Sequence, residues 1–229
     1  MKAWLRKILY KVLTTLMDRE KLIFLLCNKE ERMLLGFKRS GYLYDIGWVQ
    51  SVITGNVVDL LNKPLAWVTY PFIQFISQKD LSNLDVFEFG SGNSTLFYAD
   101  KAKFVTSVEH DEFWYNKIRS SMPSNVNLSY CELADGNKYS SYAVKTGKLY
   151  DLLIVDGSER VKCCLNNLAA LKPGGVVVLD DTELKNWDEA VAFLKENGFK
   201  KLDFWGTAPN VYYHRCTSIF YRPDNCLDI

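Results

Sequence analysis

Apolar and polar residues change their rhythm twice along this chain of 229 residues. At the start, apolar positions recur every three or four residues: Trp4, Leu5, Ile8, Leu9, Val12, Leu13 and Leu16, with Lys2, Arg6, Lys7 and Lys11 interleaved. That spacing predicts an amphipathic helix. From residue 41 to 76 no single period holds. Gly36, Gly41, Gly47 and Gly55 break the segment, and Tyr42, Tyr44, Trp48, Trp67, Tyr70, Phe72 and Phe75 make it aromatic. A helix is expected to start near Thr69-Tyr70-Pro71, since proline suits a first helical turn. The aromatics either cover the first strand or form a lid, with Trp67 and Tyr70 facing a substrate.

Beyond residue 80 the pattern becomes short apolar runs that each stop at polar groups. Runs at 85–89, 104–108, 126–131, 150–155 and 176–179 end on Gly90-Ser91-Gly92-Asn93, Glu109-His110-Asp111, Asp135-Gly136, Asp156-Gly157 and Asp180-Asp181. The run at 150–155 is nearly all apolar up to its carboxylate, as a parallel strand buried on both faces should be. Leu171-Lys172-Pro173-Gly174-Gly175 reads as the end of a helix before the fifth strand. Asn186 is placed to cap a helix through Asn197, with Gly198 just past its end. Two alternating strands, 200–205 and 217–221, then form an antiparallel pair. The expectation is an α/β fold: a Rossmann-like, doubly wound seven-stranded sheet over 81–229, with a helical and aromatic extension over 1–80.

The most informative stretch runs from Asp85 to Thr95. Glu88 lies near the end of an apolar strand, and Gly90-Ser91-Gly92 then opens a helix at Asn93. Glycines let the backbone approach a bound molecule, and a helix start offers free N–H groups. Ligands of open α/β sheets bind at the carboxyl ends of the strands. Glu109 follows Gly90 by 19 residues, near the roughly 20 at which such folds place a carboxylate on a ribose. A dinucleotide fingerprint would carry a third glycine at position 95, where this chain has Thr95.

Glu88, the Gly-x-Gly turn, Glu109, Asp156 and the Leu-Lys-Pro-Gly-Gly turn, in this order, resemble the class I S-adenosylmethionine-dependent methyltransferases. The resemblance covers roughly residues 81 to 229. The third glycine of the family's fuller pattern falls here on Ser94. The resemblance implies S-adenosylmethionine as cofactor, with Glu88, Gly90, Gly92 and Asn93 around its methionine part. Glu109 would hold the ribose hydroxyls and Asp135 would lie near the adenine; Ser91, His110 and Asp156 belong to the same cofactor-binding set.

Methyl transfer from a sulfonium is an in-line displacement, so alignment and water exclusion matter most. A hydroxyl acceptor must also lose a proton, to a base or with the help of a metal. Asp156, Asp180 and Asp181 sit at the ends of neighbouring strands, and oxygen-only donors suit Mg²⁺ or another hard divalent cation. This pattern resembles metal-dependent sugar and catechol-type O-methyltransferases. Leu179-Asp180-Asp181-Thr182, with residues 188–193 downstream, looks like the antibiotic-sugar branch. The bland alternative has Asp180 or Asp181 capping a turn and Asp156 orienting a loop. Without a metal, Asp156 or His214 is the candidate base. Arg160 either meets an anionic substrate or starts a helix in solvent.

Composition trims the alternatives. The net charge is +1 and the Asn-Pro-Pro-Tyr type motif of nucleic-acid amino methylation is absent, so no nucleic-acid partner is expected. A saccharide or another small hydroxyl acceptor fits better. Six cysteines without Cys-x-x-Cys spacing read as reduced residues of a cytoplasmic protein. Residues 1–39 hold ten basic and four acidic residues, a net of +6. A basic amphipathic helix suits the face of an anionic membrane, or packs on the core or on a second subunit of a homodimer. No uncharged run reaches the length of a membrane span, and no signal peptide is apparent. Two other classes stay open: an NAD-type oxidoreductase, and a non-catalytic module of methyltransferase fold held at a membrane.

Overall fold

The computed structural model describes residues 3–134 and 136–229; Asp135, expected near the adenine, lies outside the described residues. The chain opens with helices α1 (Ala3–Leu16), α2 (Arg19–Leu26), α3 (Lys29–Gly36), α4 (Tyr42–Asp45), α5 (Trp48–Thr54) and α6 (Tyr70–Ile76). Strand and helix then alternate through β1 (Asp85–Phe89), α7 (Asn93–Ala99), β2 (Phe104–Glu109), α8 (Glu112–Ile118), β3 (Val126–Tyr130), α9 (Tyr142–Lys145), β4 (Tyr150–Val155) and α10 (Arg160–Asn167). The chain finishes with β5 (Leu171–Asp180), α11 (Asp188–Glu196), β6 (Lys200–Gly206) and β7 (Arg215–Tyr221). The seven strands form one sheet in the order β3-β2-β1-β4-β5-β7-β6. The first five are parallel, and β7 runs antiparallel between β5 and β6. The doubly wound sheet with its antiparallel end is therefore as the sequence pattern predicts.

Side chains alternate across the sheet with the period of two that a strand imposes. Val86, Leu152, Ile154, Val176 and Val178 face one core, which α6 and α7 cover with Phe72, Ile76, Phe97 and Tyr98. Phe87, Phe89, Leu153, Val155, Val177 and Leu179 face the other, against Cys163 and Cys164 of α10 and Leu194 of α11. Among the described residues no disulfide joins any of the six cysteines. Ile154 is 1% exposed in the central strand, so Ile154→Val should cost about 1 kcal/mol of stability. Urea unfolding checks this; no change would mean that the centre of this core is slack.

Three boundaries differ from the sequence reading. The Leu-Lys-Pro-Gly-Gly stretch does not end a helix: α10 stops at Asn167 and β5 begins at Leu171. Proline cannot donate to a ladder, and the register jumps from Tyr150↔Leu171 to Leu152↔Val176. Lys172 in that irregular start reaches Asp85 at 3.0 Å and Asp151 at 2.7 Å, tying together the beginnings of three strands. The next helix starts at Asp188, not after Asn186, because a tight 3₁₀ turn takes up Lys185–Trp187. Its end is as expected: the Gly198 N–H donates to Lys195 O at 3.0 Å and the Phe199 N–H to Leu194 O at 3.1 Å, the bond pair of a Schellman stop. Finally, β7 begins at Arg215, two residues before the predicted strand.

The aromatic segment is stitched to the far end of the sheet. Trp48 Nε1 donates to Val211 O at 2.7 Å and Trp67 Nε1 to Pro209 O at 2.8 Å. Thr69 Oγ1 donates to Phe204 O at 2.9 Å, while the Thr69 N–H donates to Thr217 Oγ1 at 3.0 Å. The Tyr70 N–H donates to Thr207 O at 2.9 Å. These bonds hold Trp48 and residues 67–70 against residues 204–217.

Candidate active site

A cleft of about 580 Å³ opens where β1, β4 and β5 end. Its floor is the β1–α7 turn, its sides are the ends of β4 and β5, and Ala208, Asn210, Val211, Tyr213 and Arg215 with Val57 and Trp67 form the rim. Gly157, two residues past the end of β4, lets the two central loops meet: a Cβ there would lie 2.8 Å from Gly90 N and 2.2 Å from Tyr139 Oη. Gly92 has φ +153, a region that L side chains rarely adopt. Its N–H donates to Thr95 Oγ1 at 3.0 Å, and that hydroxyl donates to Glu88 Oε2 at 2.5 Å. Thr95, which marks the missing dinucleotide glycine, thus locks the turn to the strand.

Glu88 is 1% exposed, and its Oε1 has no hydrogen-bond partner among the described residues. Burial pushes its carboxyl up to about 8, outweighing the Ser94 and Thr95 hydroxyls that pull it down; Asp156 raises it further. Gly90, Ser91, Gly92 and Asn93 line the cleft beside it, and Asn93 Nδ2 donates to Val57 O at 2.7 Å. Glu109 sits at the end of β2 with both oxygens held. Oε1 accepts from the N–H groups of His110 and Asp111 at 2.8 and 2.9 Å, and Oε2 accepts from Ser91 Oγ at 2.6 Å. His110 Nε2 lies 3.1 Å from Ser158 Oγ. Trp114, which the sequence reading missed, forms a wall: its Nε1 donates to Ser91 O at 2.9 Å, and its ring faces Gly92.

Asp156, Asp180 and Asp181 do converge, but on a guanidinium. Arg160 is the first residue of α10, after Glu159 in the left-handed conformation (φ 50). It donates to Asp156 Oδ1 at 3.0 Å, to Asp181 Oδ2 at 2.9 Å, and to the carbonyls of Asp180 at 2.8 Å and Gly157 at 3.1 Å. Arg215 pairs with the other Asp181 oxygen and with Glu183 Oε1 at 3.2 Å, and its NH1 donates to Tyr213 Oη at 3.1 Å. Asp180 Oδ1 accepts from Thr217 Oγ1 at 2.5 Å. A hard cation needs several free oxygens aimed at one point. Here Arg160, Arg215 and Thr217 already take most of them. Among the described residues no group of three or more His, Cys, Asp or Glu is arranged to hold a metal. The residues present do not fit the expected divalent cation, because arginines supply the positive charge in its place. Arg160 is neither solvated nor free for a substrate anion; it is the hub of the carboxylates.

Burial pushes both Asp156 and Asp180 above the ordinary carboxylate range. Repulsion from Asp156 raises Asp180 further, while Thr217, Arg160 and Arg215 pull it down. The two therefore hold a proton more readily than solvated acids do. His214 is exposed and stacks on Trp205 with ring centroids 4.7 Å apart, and it is not part of the cleft wall. Of the two aromatics expected in a lid, Trp67 lines the cleft, whereas Tyr70 is 1% exposed inside the core. Asn56, Val57 and Arg215 also line the cleft. No short motif marks the first two, which are brought in by the Trp48 and Trp67 anchors.

No protein-family model matches the chain, and no curated protein matches it. Among solved structures it is similar to the precorrin-6Y C5,15-methyltransferase of Geobacter metallireducens, at 16% identity and a TM-score of 0.50, over 65% of this chain and 86% of that one. It is also similar to the N-methyltransferase NodS of Bradyrhizobium japonicum, solved with S-adenosyl-L-homocysteine, at 15% identity and a TM-score of 0.44 over 84% and 97% of the two chains. A candidate O-methyltransferase of Klebsiella pneumoniae aligns at 12% identity with a TM-score of 0.49, over 83% and 95%. With the strand order above, the first of these likenesses shows that the chain has the class I methyltransferase fold.

Proposed function

We propose that this chain is an S-adenosylmethionine-dependent methyltransferase that methylates an oxygen of a small hydroxylic acceptor such as a saccharide. The observation that carries the reading is Glu88, a buried carboxyl with an unpartnered oxygen at the head of a Gly-x-Gly turn, in the wall of the cleft. Such a group ionises at neutral pH only beside a cation, and the ammonium of the cofactor's methionine part is one. When bound, the cofactor supplies a methyl group on a sulfonium. Gly90, Ser91, Gly92 and Asn93 would border the methionine part, and Glu109 would receive the ribose hydroxyls in exchange for the Ser91 hydroxyl. His110 and Trp114 would flank the base.

The proton of the acceptor goes to the carboxyl pair. Asp156 and Asp180 line the cleft; burial raises both and repulsion from Asp156 raises Asp180 further, so that the pair shares a proton near neutrality and its ionised member is the base. Arg160 holds Asp156 and Asp181 in place, so no cation is required to keep the carboxylates together. His214, away from the cleft wall, has no proton to take.

Thermal unfolding separates this reading from an oxidoreductase. S-adenosylhomocysteine at about 100 times its Kd should add roughly 2.7 kcal/mol of stability, and NAD should add none. The reverse result sinks the proposal. Transfer of labelled methyl from the cofactor to a panel of sugars and phenols then tests turnover. Turnover should survive excess chelator; loss that magnesium restores would show that a metal, not Arg160, balances the carboxylates. Cofactor binding without transfer to any hydroxyl would favour the non-catalytic module.

A further inference from the structure

We propose that α1, α2 and α3 form a docking surface for an anionic lipid membrane. Among the residues from 3 to 40 whose side chains the structure describes, Leu22 alone is buried. On α1, Trp4, Ile8, Val12 and Leu16 recur at four-residue spacing and are 68%, 45%, 49% and 76% exposed. Phe24 of α2 and Met33 of α3 are each 70% exposed. The core of the sheet does not cover these side chains, although α1 has the amphipathic spacing that normally packs on one. Contiguous exposed apolar surface of this kind marks an interaction site.

Charge decides what covers it. Residues 1–39 carry a net +6 while the whole chain carries +1, which leaves −5 on residues 40–229. A symmetric dimer through this surface would set two +6 faces against each other. An anionic bilayer takes up both features at once: apolar side chains enter the acyl boundary and lysines and arginines meet the headgroups. Trp4 suits that boundary, where tryptophan is favoured. Among the described residues no helix is long and apolar enough to cross a membrane, so the helices lie along the surface.

Flotation of the full chain with vesicles tests this. The protein should float with phosphatidylcholine vesicles containing about one-third phosphatidylglycerol, float weakly with pure phosphatidylcholine, and dissociate as salt screens the charges. Trp4→Glu with Ile8→Glu should abolish flotation while circular dichroism and melting stay unchanged, since both side chains are exposed. Lys11→Ala should weaken binding roughly fivefold, the usual worth of one basic residue near such a surface. Failure to bind anionic vesicles, or undiminished binding by the double variant, overturns the proposal. So does a dimer in sedimentation that the double variant dissolves, because a second copy would then be what covers this face.

Discussion

Arg160→Met should destabilise the protein by on the order of 3–5 kcal/mol, the range for removing one partner of a buried charge network. The guanidinium serves Asp156, Asp181 and the Asp180 carbonyl, and its side chain is 13% exposed, against 17% for Asp156 and 10% for Asp181. Methionine keeps the volume of the stem but leaves these carboxylates without their shared cation. The deficit should depend on pH. Without Arg160, burial holds the folded-state pKa of Asp156 and Asp180 higher still above the unfolded values. A raised acid contributes its full stability below the unfolded pKa and loses it as pH rises through the folded one. The variant should therefore come closest to the parent near pH 4 and fall furthest behind near pH 8. Chemical denaturation across that range measures it, and adding Asp181→Asn should recover part of the loss, because the two residues are coupled. A loss below about 1 kcal/mol at pH 8 would mean that the carboxylates do not depend on Arg160.

The sheet was legible in the sequence because its signals are local. Short, mostly apolar runs ending in polar residues pointed to parallel strands, and the observed alternation of Phe87 and Phe89 against Val86 and Glu88 follows from strand geometry alone. The stop at Gly198 was readable for the same reason: a Schellman motif is decided by a few consecutive residues. The start of β5 was not, since Pro173 and two glycines argue for a turn. Only pairing of Leu171 with Tyr150 across the sheet makes the stretch part of a strand.

In the cleft, what could be read was residue type and strand-end position; what could not was who pairs with whom. Three aspartates at neighbouring strand ends were foreseen as a cluster. That Arg160 folds back among them depends on Glu159 adopting the left-handed conformation, which nothing in its own sequence signals. Arg215 meets Asp181 only because β7 inserts beside β5. Trp114 reaches the Gly-x-Gly turn because Asp111 caps α8, accepting the Trp114 N–H at 2.7 Å, and so fixes the helix that carries the ring. The same logic explains Tyr70. Its neighbour Trp67 lines the cleft, but the helix start at Tyr70 turns that ring into the core. The contacts of Arg160 and Arg215 with Asp181 and of Trp114 with Ser91 join residues 21 to 34 positions apart, beyond the reach of a local pattern.

Glu88→Gln should weaken S-adenosylhomocysteine binding roughly tenfold to a hundredfold, the scale for losing a charged hydrogen-bond partner, and should stabilise the ligand-free protein at high pH. Both effects come from one carboxyl. In the free protein burial holds Glu88 at about 8, against an ordinary value of 4.5. Its folded pKa is raised, so the contribution of Glu88 to the stability of the free protein is fully present below pH 4.5 and is lost as pH climbs through 8. Glutamine has the shape of the acid, still accepts from Thr95, and never ionises. Ligand-free Glu88→Gln should thus melt close to the parent at pH 5 and above it at pH 9. A cationic ammonium placed beside Glu88 favours the ionised form, so binding at pH 7 should release a proton. Affinity should then rise between pH 6 and pH 8, by at most about tenfold per unit. Calorimetry in two buffers of different ionisation enthalpy counts that proton, and the count should fall to zero in Glu88→Gln. An affinity flat with pH and equal in parent and variant would remove Glu88 from the cofactor site.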